Sequence, residues 1–177
     1  MPQPKIKLDE VRVWLEKAAH DINAAEVDQR AADDENSDFL WDVMFHCQQS
    51  VEKSLKGFLT WYDIKFKRTH DLAEIGAQCT GVDSDLVSVV REAEPLSQYA
   101  WEFRYPGESD DPTEKQAKEA LHLARKVFKE ILKRLPKETH PSTAKRSSSA
   151  LNESKKKDTE KTRNNTKKAK VTRKNPE

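Results

Sequence analysis

Glycine is scarce and scattered in this chain: four in 177 residues, at positions 57, 76, 81 and 107, and none builds the glycine-rich loop that cradles a phosphate. Cysteine is scarcer still, with two. Cys47, on a helix face that asks to be buried, and Cys79, in a turn region, make no disulfide framework and read as free thiols. No stretch approaches the roughly 18 to 20 apolar residues that a membrane-spanning helix needs. The opening MPQPKIKLDE is polar where a secretion signal carries its apolar segment, so a soluble, cytoplasmic protein is expected. No segment alternates apolar and polar residues with the period of two that marks a half-buried strand. Without a strand there is no strand-turn-helix elbow to present a Ser or Cys nucleophile.

Charge, by contrast, is abundant and unevenly placed. Charged residues make up 36% of the chain against 35% hydrophobic, enough for one domain with a modest core and a long polar remainder. From Pro136 onward there are 13 Lys and Arg against 5 Asp and Glu, a net of +8, so the overall +1 leaves −7 on residues 1–135. Beyond His140 almost nothing is apolar. Such a segment cannot bury enough surface to offset its ordering entropy, so residues 136–177 are expected to form a disordered Lys/Arg/Ser-rich tail. Its cations either hold nucleic-acid phosphates in a salt-sensitive way or simply keep the chain in solution.

The chain is organised around the stretch from Trp41 to Tyr62. Met44, Cys47, Val51, Leu55, Phe58 and Tyr62 recur at steps of three and four, which puts them on one face of an α-helix and requires that face to be buried. His46, Gln49, Lys53, Lys56 and Thr60 repeat along the flank as a polar, partly cationic stripe, readable as solvated surface or as a phosphate-binding face. Lys65, Lys67, Arg68 and His70 follow just past the helix end. Upstream, Leu8, Val11, Leu15, Ala18, Ile22 and Ala25 predict a first helix to about Ala32, with Asp9 and Glu10 at the positive end of its dipole. It should lie antiparallel to the central helix, which Ser37 or Asp38 is expected to cap.

Downstream, Thr69 is expected to cap a short helix ending near Gly76 or Gly81. A loop at Thr80 to Ser84 should lead to a helix from Leu86 to Ala100 that Pro95 kinks or restarts. A last helix is expected from Pro112 or Thr113 to Pro136, with Ala117, Leu121, Ala124, Phe128, Ile131 and Leu135 on its buried face. The predicted fold is therefore all-α, an up-and-down bundle of four to five helices over residues 1–135.

The chemistry on offer is limited. His46, Cys47, His70 and Cys79 do not suggest zinc, because adjacent helical residues point about 100° apart and no ligand-pair spacing occurs; no metal and no cofactor is expected. Cleaving RNA through its own 2′-hydroxyl needs a group that titrates near neutrality and a cation to steady the phosphorane. His70 and Arg104 can fill these roles if the fold joins them, although a histidine beside a helix start equally reads as a cap or packing residue. Holding a nucleotide or RNA phosphate asks for less. Gln49, Lys53, Lys56, Lys65, Lys67, Arg68, His70 and Arg104 supply donors and charge, and Tyr105 or Trp101 a face for a base. Arg104-Tyr105-Pro106 also reads as a purely structural helix end.

The run Phe45-His46-Cys47-Gln48-Gln49-Ser50-Val51-Glu52-Lys53-Ser54-Leu55-Lys56, then Thr69-His70-Asp71-Leu72, then Phe103-Arg104-Tyr105-Pro106, resembles the HEPN domain family (higher eukaryotes and prokaryotes nucleotide-binding). Trp14, Ala18 and Asp21 in the opening helix fit as well, so the resemblance covers roughly residues 8 to 135. It implies an all-α bundle that commonly dimerises and is often encoded beside a small nucleotidyltransferase, the two forming a toxin and antitoxin pair. It also implies, for some members, a metal-independent ribonuclease using an Arg and a His with about four to six residues between them. This chain departs from that pattern: Arg12 and His20 have seven residues between them, Arg68 and His70 one, and Arg134 and His140 have Pro136 in the way. The expectation is a nucleotide- or RNA-binding interaction module, homodimeric and paired with a small nucleotidyltransferase. A ribonuclease toxin with a non-standard site of His70 and Arg104 is the alternative.

Overall fold

A computed structural model describes residues 4–33, 39–101 and 110–142. Among them are five α-helices, α1 (Pro4–Asp33), α2 (Leu40–Trp61), α3 (Leu72–Val82), α4 (Val87–Ala93) and α5 (Glu114–Arg134), with 3-10 turns at Ser84–Leu86, Glu94–Ala100 and Lys137–Thr139. No strand occurs among the described residues, and the fold is the all-α bundle that the periodicity predicts. The expected caps Ser37 and Asp38, the Phe103–Pro106 segment and residues 143–177 of the expected tail lie outside the described residues.

The central helix packs against α1, α3, α5 and the Glu94–Ala100 turn. It lies antiparallel to α1: as α1 rises through Lys7, Trp14 and Asp21, the residues beside them fall through Asp63 just past the end of α2, Gly57 and Lys53. Gly57 permits this closeness, since a Cβ there would stand 3.1 Å from Trp14 Cβ. Phe58, Leu15, Leu55, Leu59, Leu72, Ile75, Leu86 and Ile131 are fully buried. Each contributes about 1.5–3 kcal/mol by leaving water. Tyr62, expected on the buried face, is exposed, because α2 ends at Trp61 and Tyr62 is its cap.

The end of α2 is a Schellman motif. Asp63 takes the left-handed conformation at φ 56. The amides of Asp63 and Ile64 close back on the Thr60 and Leu59 carbonyls at 3.2 and 3.0 Å, which satisfies two of the orphan acceptors at the helix end. The connector from Ile64 to Asp71 then returns across α2, with Phe66 seated edge-on against Trp14.

Asp71, not Thr69, caps α3, its carboxylate accepting from the amides of Ala73 and Glu74. Thr69 Oγ1 instead accepts from the amide of Asp71. The expected loop at Thr80 is helical to Val82, and Cys79 is buried within α3 rather than in a turn. Leu72, Ile75, Gly76 and Cys79 share one face at helical spacing, and that burial holds the helix through the position where a loop was expected. Pro95 ends α4 and restarts the chain as a 3-10 turn. α5 opens on a capping box of Thr113 and Gln116.

Packing continues past Pro136. Thr139 is fully buried, and Arg12 of α1 donates through Nε and Nη2 to the Glu138 carbonyl.

Candidate functional site

Five polar residues of α2, Gln48, Ser50, Glu52, Ser54 and Lys56, are buried. Helix geometry explains two of them. Gln48 and Leu59 are eleven residues apart, which at about 100° per residue places them within roughly 20° of each other, and Glu52 falls next to the same sector. These side chains lie where the connector and α3 close over α2.

Glu52 is the hub. Its Oε1 accepts from Lys56 Nζ at 2.7 Å, and its Oε2 from Gln48 Nε2 at 3.0 Å and His70 Nδ1 at 2.9 Å. Lys56 Nζ donates also to the Thr69 carbonyl at 2.9 Å and sits 5.7 Å from the centre of the Phe66 ring. Gln48 Nε2 reaches the His70 carbonyl at 3.2 Å, and Gln49 Nε2 donates to Gln48 Oε1 at 2.7 Å. Burial by itself raises the Glu52 pKa. The donors from Lys56, Gln48 and His70 outweigh it and hold the carboxyl below its ordinary value, so Glu52 is ionised.

An ionised carboxylate only accepts hydrogen bonds, so His70 Nδ1 carries the proton. In the neutral form of such a ring the lone pair is on Nε2. The His70 side chain is 59% exposed while that of Glu52 is 6% exposed, so a buried anion anchors an open imidazole.

A second polar cluster joins α1 to α2. Buried Asp21 accepts from Lys53 Nζ and pairs with His46 Nδ1 at 3.4 Å, and His46 Nε2 lies 3.8 Å from Asp28. The hydrogen bond to Asp21 outweighs burial and, with the charges of Asp21, Asp28 and Asp42, raises the His46 pKa. Desolvation raises that of Asp28 against the pull of His46.

The structure therefore divides the expected site residues. His70, Gln49 and Lys56 belong to one connected network, and Lys53 turns to Asp21 instead. Lys56, expected on a solvated stripe, is a buried ion-pair member, because Glu52 one turn away and the Thr69 carbonyl compensate its lost water. Arg68 is exposed and forms no ion pair with a described residue, whereas Lys67 pairs with Glu74. Arg104 and Tyr105 lie outside the described residues. Trp101 is exposed. Glu52 and Gln48 were not singled out from the sequence, although their angular position beside Leu55 and Leu59 was there to be read.

Two grooves of the surface lie elsewhere. One of about 690 Å³ is bordered by Glu92, Lys118, His122 and Lys126, and one of about 540 Å³ by Glu10, Val13, Trp14 and Lys17. The His70 side chain is open to solvent, and its anchoring on the buried Glu52 carboxylate marks it. Burial pushes the thiols of Cys47 and Cys79 up to about 12, which removes them as nucleophiles near neutrality. Among the described residues no three His, Cys, Asp or Glu side chains are grouped to hold a metal ion, and no helix is long and apolar enough to cross a membrane.

In comparison with known proteins, the model of the HEPN domain matches residues 11–135. No curated protein and no solved structure matches the chain.

Proposed function

The chain belongs to the HEPN domain family, a nucleotide- and RNA-related module, and from that premise we propose that it binds nucleotide or RNA at the surface around His70. The observation that carries this reading is the exposed imidazole anchored on a buried, ionised Glu52, two residues from an exposed Arg68 that pairs with no described residue. Surface polar groups are ordinarily mobile, and here the backbone on both sides is tied down, by Lys56 at Thr69 and by Gln48 at His70. Arg68 supplies charge for a phosphate and Gln49 a polar edge. In this proposal Arg104 and Tyr105, outside the described residues, supply a cation and a stacking face. Lys53 and Lys56 serve by holding the frame. In this reading the module is a homodimer and acts with a small nucleotidyltransferase in a toxin and antitoxin type pair.

Fluorescence anisotropy with a labelled oligoribonucleotide and with ATP, over a salt series, tests the binding. His70→Ala and Arg68→Ala should each weaken it by about three- to tenfold. Unchanged affinity in both variants sinks the reading. Mass spectrometry of what co-purifies with the protein tests the partner.

One observation favours a second reading, a metal-independent ribonuclease. The Glu52 to His70 contact of 2.9 Å orients an imidazole as a carboxylate orients a general base, and Arg104 would steady the phosphorane. RNA cleavage and growth inhibition that vanish in His70→Ala and Arg104→Ala support it. A wild-type chain that neither cleaves RNA nor slows growth without a partner ends it.

A further inference from the structure

The Glu52 network does more than position a ring: it decides which nitrogen of that ring faces the ligand. We propose that Glu52 is a positioning residue that presents the Nε2 lone pair of His70 to a ribose hydroxyl, so that the site prefers ribonucleotides to their 2′-deoxy counterparts. The inference rests on the nucleotide- or RNA-binding reading above and gives it a ligand class.

The argument is one of donors and acceptors. A neutral imidazole has one N–H and one lone pair, and Glu52 Oε2 takes the N–H of Nδ1 at 2.9 Å. Nε2 makes no hydrogen bond to a described residue, and the ring is 59% exposed. A phosphate oxygen is itself an acceptor and gains nothing from a lone pair. A hydroxyl donates to it, and the 2′-hydroxyl is the donor that ribose has and deoxyribose lacks.

Presentation of the lone pair is rigid. Lys56 holds the Thr69 carbonyl, Gln48 the His70 carbonyl, and Ser97 Oγ accepts from the amide of Leu72 at 2.9 Å. Both sides of His70 are thus pinned to different elements, which is what keeps an acceptor at a fixed point instead of sampling many. Arg68 remains available for the phosphate, so charge and sugar are recognised by different residues.

The test compares affinities of the full-length chain for matched ligands near neutral pH at one salt concentration. The probes are a short mixed-sequence oligoribonucleotide, its deoxy and 2′-O-methyl forms, and ATP and GTP against dATP and dGTP. The oligonucleotide and mononucleotide arms separate RNA from free nucleotide as the source of the ribose. In the wild type the ribose form should bind about three- to tenfold more tightly than either form lacking the hydroxyl donor, the strength of one hydrogen bond. That ratio should collapse toward one in His70→Ala and in the double variant Glu52→Gln with Lys56→Gln, which removes both buried charges together. Imidazole ¹⁵N shifts should report the Nδ1–H tautomer in the wild type and a mixture in the double variant.

His70→Ala keeps the test decisive if the double variant does not fold. Equal binding of ribose and deoxyribose forms by the wild type, or a ratio that survives in His70→Ala, overturns the inference and leaves the binding reading standing. Failure to bind any probe overturns both.

Discussion

Lys56 is an ammonium group with 6% of its surface exposed, and an isolated charge in that position would not be tolerated. Glu52, one turn away, makes it tolerable, so removing only one of the two strands the other. Glu52→Gln should cost about 3–5 kcal/mol. Changing Lys56 to Gln as well should recover much of that loss, and a double-mutant cycle in urea unfolding measures the coupling. The same pair has a pH signature. Glu52 titrates below its ordinary 4.5 in the folded state, so its contribution is present above that value and is lost as pH falls through the folded pKa.

His46 has the opposite sign. Its pKa lies above 6.5, so its pairing with Asp21 and Asp28 is fully stabilising below 6.5 and fades as pH rises through the folded value. Melting temperatures across acid, neutral and alkaline buffers should therefore decline at both ends. His46→Gln should flatten the alkaline side alone, and an unchanged alkaline slope in that variant would assign the decline to another group.

Among the elements, α3 and α4 meet most tightly at Gly76, where an added Cβ would stand 2.2 Å from Val90 Cγ1. Valine is branched at Cβ and buried, so it has little freedom to turn aside. Gly76→Ala should destabilise by about 1–3 kcal/mol, and Val90→Ala in the same chain should relieve part of it; thermal unfolding of the two variants checks both. This glycine was readable in the sequence only as a helix end, because close approach between two helices leaves no periodic mark on either one. The faces of α1, α2 and α5 were legible, since steps of three and four follow from helix geometry whatever the helix packs on. The cap of α3 was half legible: Thr69 and Asp71 both carry the oxygen a cap needs, and the path of the connector selects Asp71. Of the site, His70 was visible as a titratable group at a helix start. Glu52 was legible only as an angular neighbour of Leu59 on α2; what closes over it, the aperiodic Ile64–Asp71 connector, left no period to read.

Within residues 4–142 the first helix is held to the segment that follows α5. The HEPN match ends at residue 135, and the sequence places a boundary there as well, where α5 stops before Pro136. The packing does not stop with it. Arg12 Nε and Nη2 donate to the Glu138 carbonyl at 3.1 and 2.6 Å, and Thr139 is fully buried. His140 Nε2 lies 3.0 and 3.2 Å from the carbonyls of Leu132 and Leu135. Carbonyls only accept, so this nitrogen donates: it joins the Leu135 amide at the Leu132 carbonyl and reaches the Leu135 carbonyl past the end of α5. A chain ended after Leu135 loses all of these at once. It should be less stable than the full chain by about 2 kcal/mol, a few net hydrogen bonds' worth, and should melt several degrees lower. A chain ended after Ser142 keeps every one of them and should melt within about a degree of the full chain. Thermal unfolding of the three lengths in one buffer decides the matter: equal melting of the two shortened chains would mean that residues 136–142 add nothing to the bundle.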